Sequence, residues 1–205
     1  MTVLLSGYDR LTQELMFRVY AAEIPTADRK LRTHLSHNYA MDLLGAALLA
    51  DFGVKHAKIV RRGLDKPLLV HESLHMNISH CKGLAVAAVG KMPLGIDAES
   101  PRAVRDVLMR KVCAPEEICL IQAEDDQTRA FSRFWTLKEA YAKYTGEGIR
   151  LPFAALRFSF GSEGQILFHY PDAAPVRFWQ RTDVSGCIVS LCLPDDADII
   201  LKEIT

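Results

Sequence analysis

Leu84-Ala-Val-Ala-Ala-Val-Gly-Lys-Met-Pro-Leu-Gly-Ile-Asp-Ala-Glu-Ser100 is the stretch whose reading decides the fold. The unbroken apolar run Leu84–Val89 reads as a buried strand. Gly90–Pro93 punctuates it as a turn, and Leu94–Ile96 opens a second strand. Side chains two apart on a strand leave the same face, so Asp97 and Glu99 emerge side by side. Two adjacent like charges repel unless a cation lies between them. A hard divalent ion such as Mg²⁺, which takes one or two carboxylates together with substrate phosphates, meets that need. Acidic residues at a solvated strand end give the same pattern, so the stretch alone leaves both readings open.

A second stretch, Phe134-Trp-Thr-Leu-Lys-Glu-Ala-Tyr-Ala-Lys143, bears on the choice. It holds neither Pro nor Gly and is rich in helix formers, and Gly146 supplies a stop. Glu139 and Lys143 stand four apart and share a face. Lys138 projects about 100° away from Glu139 on a helix of 3.6 residues per turn. One carboxylate flanked by two lysines suits a metal site that also grips phosphates. A surface ion pair worth about 0.3–0.5 kcal/mol uses the same residues. Phe134, Trp135 and Leu137 beside the charges favour a partly buried helix facing a cleft, with Trp135 largely buried.

The chain of 205 residues is 49% apolar, enough for a packed core, in one domain or two small ones. Its 25 basic and 25 acidic side chains cancel, so no global field draws nucleic acid. No apolar run reaches the length of a membrane span, and Met1–Arg10 lacks the pattern of a signal peptide. The five cysteines include no Cys-x-x-Cys pair, and His75, His80 and Cys81 lack structural-zinc spacing. Buried reduced thiols in a cytoplasmic protein are expected.

Along the chain, Thr2–Gly7 reads as a strand. Thr26 is placed to cap a long helix ending near Gly53, with an apolar stripe of Leu31, Leu35, Tyr39, Leu43 and Ala46–Ala47. Arg29, Lys30 and Arg32 in its first turns form a solvated face or meet an anion. Short strands are expected at Lys58–Val60, Leu68–Val70 and His75–His80. Val104, Val107, Leu108 and Val112 follow helical spacing. Pro115-Glu-Glu117 suits a helix start, and Asp125-Asp126 leads into the Trp135–Lys143 helix. Strands return at Leu156–Phe160, Ile166–Tyr170, Val176–Thr182 and Cys187–Leu193.

Gly83 and Gly186 stand half a chain apart, each in a turn leading into an apolar strand. This faint repeat points to an α+β fold of two similar halves with pseudo-twofold symmetry, 1–100 and 101–205, with the site at their seam.

Three blocks in order, Asn77-Ile-Ser-His80, Gly95-Ile-Asp-Ala-Glu99 and Phe134–Lys143, resemble the 4′-phosphopantetheinyl transferases. The likeness is to the larger, monomeric, surfactin-synthetase-activating type. Leu43-Leu-Gly45, Lys66-Pro67 and Gly146-Glu-Gly-Ile-Arg-Leu-Pro152 add to it. The resemblance implies transfer of the phosphopantetheine arm of coenzyme A to a serine of an apo acyl or peptidyl carrier protein, with 3′,5′-ADP as the second product. It implies Mg²⁺ on Asp97, Glu99 and Glu139, with Glu139 also the candidate base. Lys138, Lys143, Ser79 and His80 would meet the phosphates, with Lys143 also assigned to the catalytic step. Lys66 would meet the adenine or the 3′-phosphate.

Asp65, Cys81 and Ala50 depart from the family pattern and bear on how the adenosine end is held. A monomer with no nucleic-acid or membrane partner is expected. The competing readings are a non-catalytic coenzyme A or carrier-binding module and a Mg²⁺-dependent phosphoanhydride hydrolase. The chain carries no Gly-x-x-x-x-Gly-Lys phosphate loop.

Overall fold

The computed structural model describes residues 5–7, 17–24, 29–60, 67–71, 73–162, 164–195 and 201–203. Side chains are described for all of these except 5–7, 17, 18, 29–35 and 201–203. In chain order the elements begin with strands β1 (Leu5–Gly7) and β2 (Phe17–Glu23), then the long helix α1 (Arg29–Phe52). Five strands follow: β3 (Ile59–Val60), β4 (Leu68–Leu69), β5 (His75–Cys81), β6 (Leu84–Gly90) and β7 (Gly95–Glu99). Three helices come next, α2 (Asp106–Val112), α3 (Pro115–Gln122) and α4 (Gln127–Thr145), and then two single-turn 3-10 helices. The chain closes with β8 (Arg157–Phe160), β9 (Ile166–His169), β10 (Val176–Val184), β11 (Cys187–Pro194) and β12 (Leu201–Glu203). Among the described residues no helix is long and apolar enough to cross a membrane.

The fold is α+β, built as four layers. One antiparallel sheet runs β12-β1-β2-β6-β5 and a second runs β10-β11-β7. The alternation of strand side chains explains why every residue of β6 is buried. Leu84, Val86 and Ala88 pack on the inner face of the second sheet, against Leu94, Ile96, Ala98, Val189 and Leu191. Ala85, Ala87 and Val89 face the other way and pack with Ala40, Leu43, Leu44, Ala47 and Leu48 of α1. The second sheet's outer face is covered by α4, whose Phe134, Leu137 and Tyr141 join Phe153, Leu156 and Phe158 in a third cluster.

Helix ends follow their chemistry. Asp126 caps α4, its carboxylate accepting from the Arg129 amide at 2.9 Å. Gly146 ends the helix in the left-handed region at φ 78°. In α3, Glu117 takes the Ala114 amide at 2.8 Å and the Phe158 amide at 2.8 Å, and is paired with Lys138 Nζ at 2.7 Å. Lys138 also donates to the carbonyls of Phe153 and Leu156. Both side chains are fully enclosed, so this ion pair ties α3, α4 and the start of β8 together. A polar chain anchors α4 to the sheet, with Thr136 Oγ1 2.8 Å from Ser190 Oγ and Gln180 donating to Ser190 at 2.9 Å.

Three sequence expectations shift. Phe17–Glu23 is a full strand between β1 and β6; with Val19, Tyr20 and Ala21 all buried, it is covered on both faces and shows no period-two pattern. The buried face of α1 runs through Ser36, Ala40, Leu43, Leu44, Ala47 and Leu48; it keeps Leu43 and Ala47 of the expected stripe and leaves Tyr39 and Ala46 half-buried at its margin, while the side chains of Leu31 and Leu35 lie outside the described residues. Val104 lies before α2, and within the helix Val107 is 80% exposed and only Val112 is buried. Thr2 and Thr26 lie outside the described residues.

The two sheets meet edge to edge through side chains. β5 is an edge of one sheet and β7 an edge of the other. The Ile96 amide donates to Asn77 Oδ1 at 2.8 Å and the Ala98 amide to Ser79 Oγ at 3.2 Å. The outer side of β7 is equally tight, because a Cβ at Gly95 would run into the Ala140 carbonyl and the Tyr144 backbone. Gly95→Ala should therefore cost about 1–3 kcal/mol or more through overpacking. Gly45→Ala, in helix α1 with open space around it, should stabilise by about 0.5–1 kcal/mol. Urea denaturation of the two variants checks both signs.

Candidate active site

The glycine contact between α4 and β7 sets the distance at which the charged residues face each other. Glu139 and Lys143 lie one helical turn apart on α4, over the strand that carries Asp97 and Glu99 on its outward face. Ser79 and His80 arrive from the end of β5, and His37 from α1. These side chains line one cleft of about 430 Å³. Trp135 and Pro67 complete its walls.

Lys143 sits at the centre. Its ammonium is 2.7 Å from Asp97 Oδ1 and donates to Ser79 Oγ at 2.9 Å and to the Ile96 carbonyl at 3.1 Å. Ser79 in turn donates to Asp97 Oδ1 at 2.9 Å. Asp97 is 5% exposed, yet its Oδ2 is buried without a hydrogen-bond partner. An ionised oxygen so placed leaves a desolvation cost unmet. Trp135 donates its indole N–H to Glu99 at 3.3 Å.

The electrostatics report a deficit of positive charge. Burial first, and the Asp97 charge second, push the Glu139 carboxyl up to about 7, against the pull of Lys143. Burial and Asp97 also raise Glu99, which Arg102 and the Trp135 hydrogen bond partly offset. His80 is lowered by burial, then by His37 and Lys143. Three carboxylates against one lysine, with a buried carboxylate oxygen left over, fit an added oxygen-seeking cation. Among the described residues no three His, Cys, Asp or Glu side chains already form a metal-holding group. The carboxylates share the cleft without closing on a point.

Six of the expected site residues, Ser79, His80, Asp97, Glu99, Glu139 and Lys143, are thus brought together. Lys138 is not among them. It is fully buried against Glu117 on the far side of α4, as its 100° offset from Glu139 requires. Its expected phosphate contact is replaced by a structural ion pair. Lys66 lies outside the described residues, although its neighbour Pro67 lines the cleft. Trp135, expected in the core, is half-buried and forms the cleft wall. His37 was not anticipated; its ring meets His80 edge-on at 6.1 Å between centroids. Extending the helical spacing of Ala40 and Leu44 back one turn would have placed it at the sheet edge.

Residues 93–194, about half of the chain, match the 4′-phosphopantetheinyl transferase superfamily. A 4′-phosphopantetheinyl transferase of Bacillus subtilis is 29% identical over 148 residues, covering 71% of this chain and 61% of that protein. The 4′-phosphopantetheinyl transferase HetI of Nostoc is 37% identical over 116 residues, covering 52% of this chain and 48% of that protein. The chain spans between about half and three fifths of the length of these curated relatives. Among solved structures, the holo-[acyl-carrier-protein] synthase of Helicobacter pylori in complex with coenzyme A aligns with a TM-score of 0.42 at 20% identity. That alignment covers 49% of this chain and 97% of the synthase.

Lys138→Ala should lose about 3–5 kcal/mol, because it strands the enclosed Glu117 charge, whereas Lys143→Ala, at a half-open site, should lose less. Thermal melts separate them. Glu139 gives a pH signature. Its folded pKa lies above the unfolded value, so its stabilising contribution is present below about 4.5 and lost as pH rises through about 7. Glu139→Gln should match the wild-type melting temperature near pH 5 and exceed it near pH 8 in chelator, by an amount worth about 1–3 kcal/mol.

Proposed function

The chain belongs to the 4′-phosphopantetheinyl transferase superfamily, and from that premise we propose that it transfers the 4′-phosphopantetheine arm of coenzyme A. The acceptor is a serine hydroxyl of an apo acyl or peptidyl carrier protein, and 3′,5′-ADP is released. The observation that carries this reading is the shared cleft of Asp97, Glu99, Glu139, Lys143 and His80, with the unpartnered Asp97 Oδ2 inside the protein.

Asp97, Glu99 and Glu139 are the residues that would hold Mg²⁺, which supplies charge neutralisation at a pyrophosphate. Lys143, held by Asp97, Ser79 and the Ile96 carbonyl, would offer a point charge to phosphate oxygens. His80 at the end of β5 offers an N–H donor to a phosphate, with His37 beside it, and Ser79 would join it only by turning its hydroxyl away from Asp97. Lys66, the residue before Pro67 in the sequence, is the candidate to meet the adenine or the 3′-phosphate. Glu139, with a carboxyl held near 7, is matched to accept the serine proton at neutral pH.

The carrier would approach over α2 and the segment after Lys143. A groove of about 240 Å³ lined by Arg102, Leu108 and Phe131 shares Glu99 and Trp135 with the cleft, and Ile149 stands 95% exposed nearby in sequence. That groove gives the extended arm a path from the cleft to the surface. The protein is further read as a monomer of two pseudo-symmetric halves, 1–100 and 101–205, joined at the site. Its five free thiols suit the reducing cytoplasm.

Incubation with coenzyme A, Mg²⁺ and a panel of apo carriers tests the proposal by mass. The expected result is a carrier heavier by the phosphopantetheine arm. Asp97→Ala should lower turnover by at least about 100-fold, a loss of about 2.7 kcal/mol of transition-state stabilisation, while keeping its circular dichroism spectrum. Release of adenosine phosphates with no gain on any carrier would overturn the assignment.

A further inference from the structure

Two cysteines outside the cleft are poised for chemistry of their own. Cys81 is the last paired residue of β5 before the turn Lys82-Gly83, and Cys187 is the first of β11 after the turn Ser185-Gly186. Each hairpin thus carries a cysteine beside a two-residue turn, on different sheets. The turns are set by left-handed residues, Gly83 at φ 89°, Ser185 at φ 51° and Gly186 at φ 77°. The tips touch, with Ser185 Oγ donating to Glu23 at 2.7 Å and the Ile24 amide to the Gly83 carbonyl at 2.9 Å. At this junction Cys81 Sγ lies 3.5 Å from Cys187 Sγ.

We propose that Cys81 and Cys187 form a dithiol site that small disulfides oxidise to a covalent staple between the two sheets. A disulfide needs sulfurs about 2.05 Å apart. The remaining approach is small, and hairpin tips absorb it by side-chain rotation and slight backbone movement. Cys81, half-buried, is the more accessible sulfur and takes the first step, although its hydrogen bond to Cys187 and burial push its own thiol up, while Cys187 is 2% exposed. The Cys81 thiolate attacks a sulfur of glutathione disulfide, forming a mixed disulfide and releasing one glutathione thiolate, which takes up the proton Cys81 gave up. Cys187 then attacks the Cys81 sulfur and expels the second glutathione in the same way. Two protein thiols are oxidised, and one disulfide is reduced to two thiols. In the reduced pair the hydrogen bond from Cys81 lowers the Cys187 thiol, against the opposing effect of burial; that bond is gone once Cys81 is in the mixed disulfide, and the second attack rests on the 3.5 Å approach of the two sulfurs. The staple would close a loop spanning half the chain, one residue from His80 and one residue from Ile188, the strand partner of Glu99.

The test treats the full chain, freed of reductant, with glutathione disulfide. The expected product is lighter by two hydrogen atoms and yields a Cys81–Cys187 linked peptide on non-reducing digestion. Its melting temperature is higher by about 10 °C, and dithiothreitol reverses all three changes. Cys81→Ala should abolish them, and Cys119→Ser, at an exposed cysteine, should leave them intact. Should Cys187→Ala fail to fold, Cys81→Ala carries the same reading, because its side chain is only half-enclosed. An unchanged mass, a lasting glutathione adduct on Cys81, a link to another cysteine, or a link without the rise in melting temperature would each overturn the proposal.

Discussion

The rest of the molecule depends on how two sheet edges are joined. An exposed strand edge is a row of unmet hydrogen-bonding groups. Here β5 and β7 face each other as edges of separate sheets, and Asn77 and Ser79 supply the acceptors that the β7 amides need. Lys143 adds a donor to the Ile96 carbonyl in the same strand. The seam is therefore stitched with side chains, and the residues that stitch it are neighbours of the residues with chemistry to perform. Ser79 serves both purposes: it mends the Ala98 amide and hydrogen-bonds Asp97.

Helix α4 works on two fronts through adjacent residues. Lys138 turns inward and is spent on Glu117, whereas Glu139 and Lys143 turn toward β7. A helix cannot aim neighbours at one target, since each step rotates the side chain by about 100°. The inward lysine fixes α4 against α3 and the start of β8, and that fixation holds the outward pair in place. Gly95 completes the arrangement by letting the helix backbone rest directly on the strand. Position, more than residue type, separates a structural lysine from one available to a ligand.

What the sequence disclosed follows the strength of its local signals. The all-apolar run of β6, the same-face pair Asp97 and Glu99, and the i, i+4 pair Glu139 and Lys143 were readable because periodicity alone dictates them. The hairpin turns and the Gly146 stop were readable from glycine. The role of Lys138 was not, because its partner Glu117 sits on another helix and only packing brings them together. Trp135 reads as largely buried because aromatic rings usually are, yet its indole N–H needs a polar partner and finds Glu99 at the cleft. β2 is hard to read because Val19, Tyr20 and Ala21 are buried on both faces, which removes the alternation that marks a half-exposed strand. His37 became visible only once α1 was laid on the sheet and its phase was known.

The enclosure of Lys138 also gives the molecule an internal gauge of its own opening. Amine-reactive reagents modify a lysine only when water and reagent reach its nitrogen, and this nitrogen has no exposed surface. Its labelling requires the α3–α4 packing to part, a sub-global event that differs in free energy from the fraying of loops. Surface lysines such as Lys91 would label at once and Lys138 only with that opening. The ratio of the two rates in native buffer would then report how often the C-terminal helices separate, with no probe added to the chain.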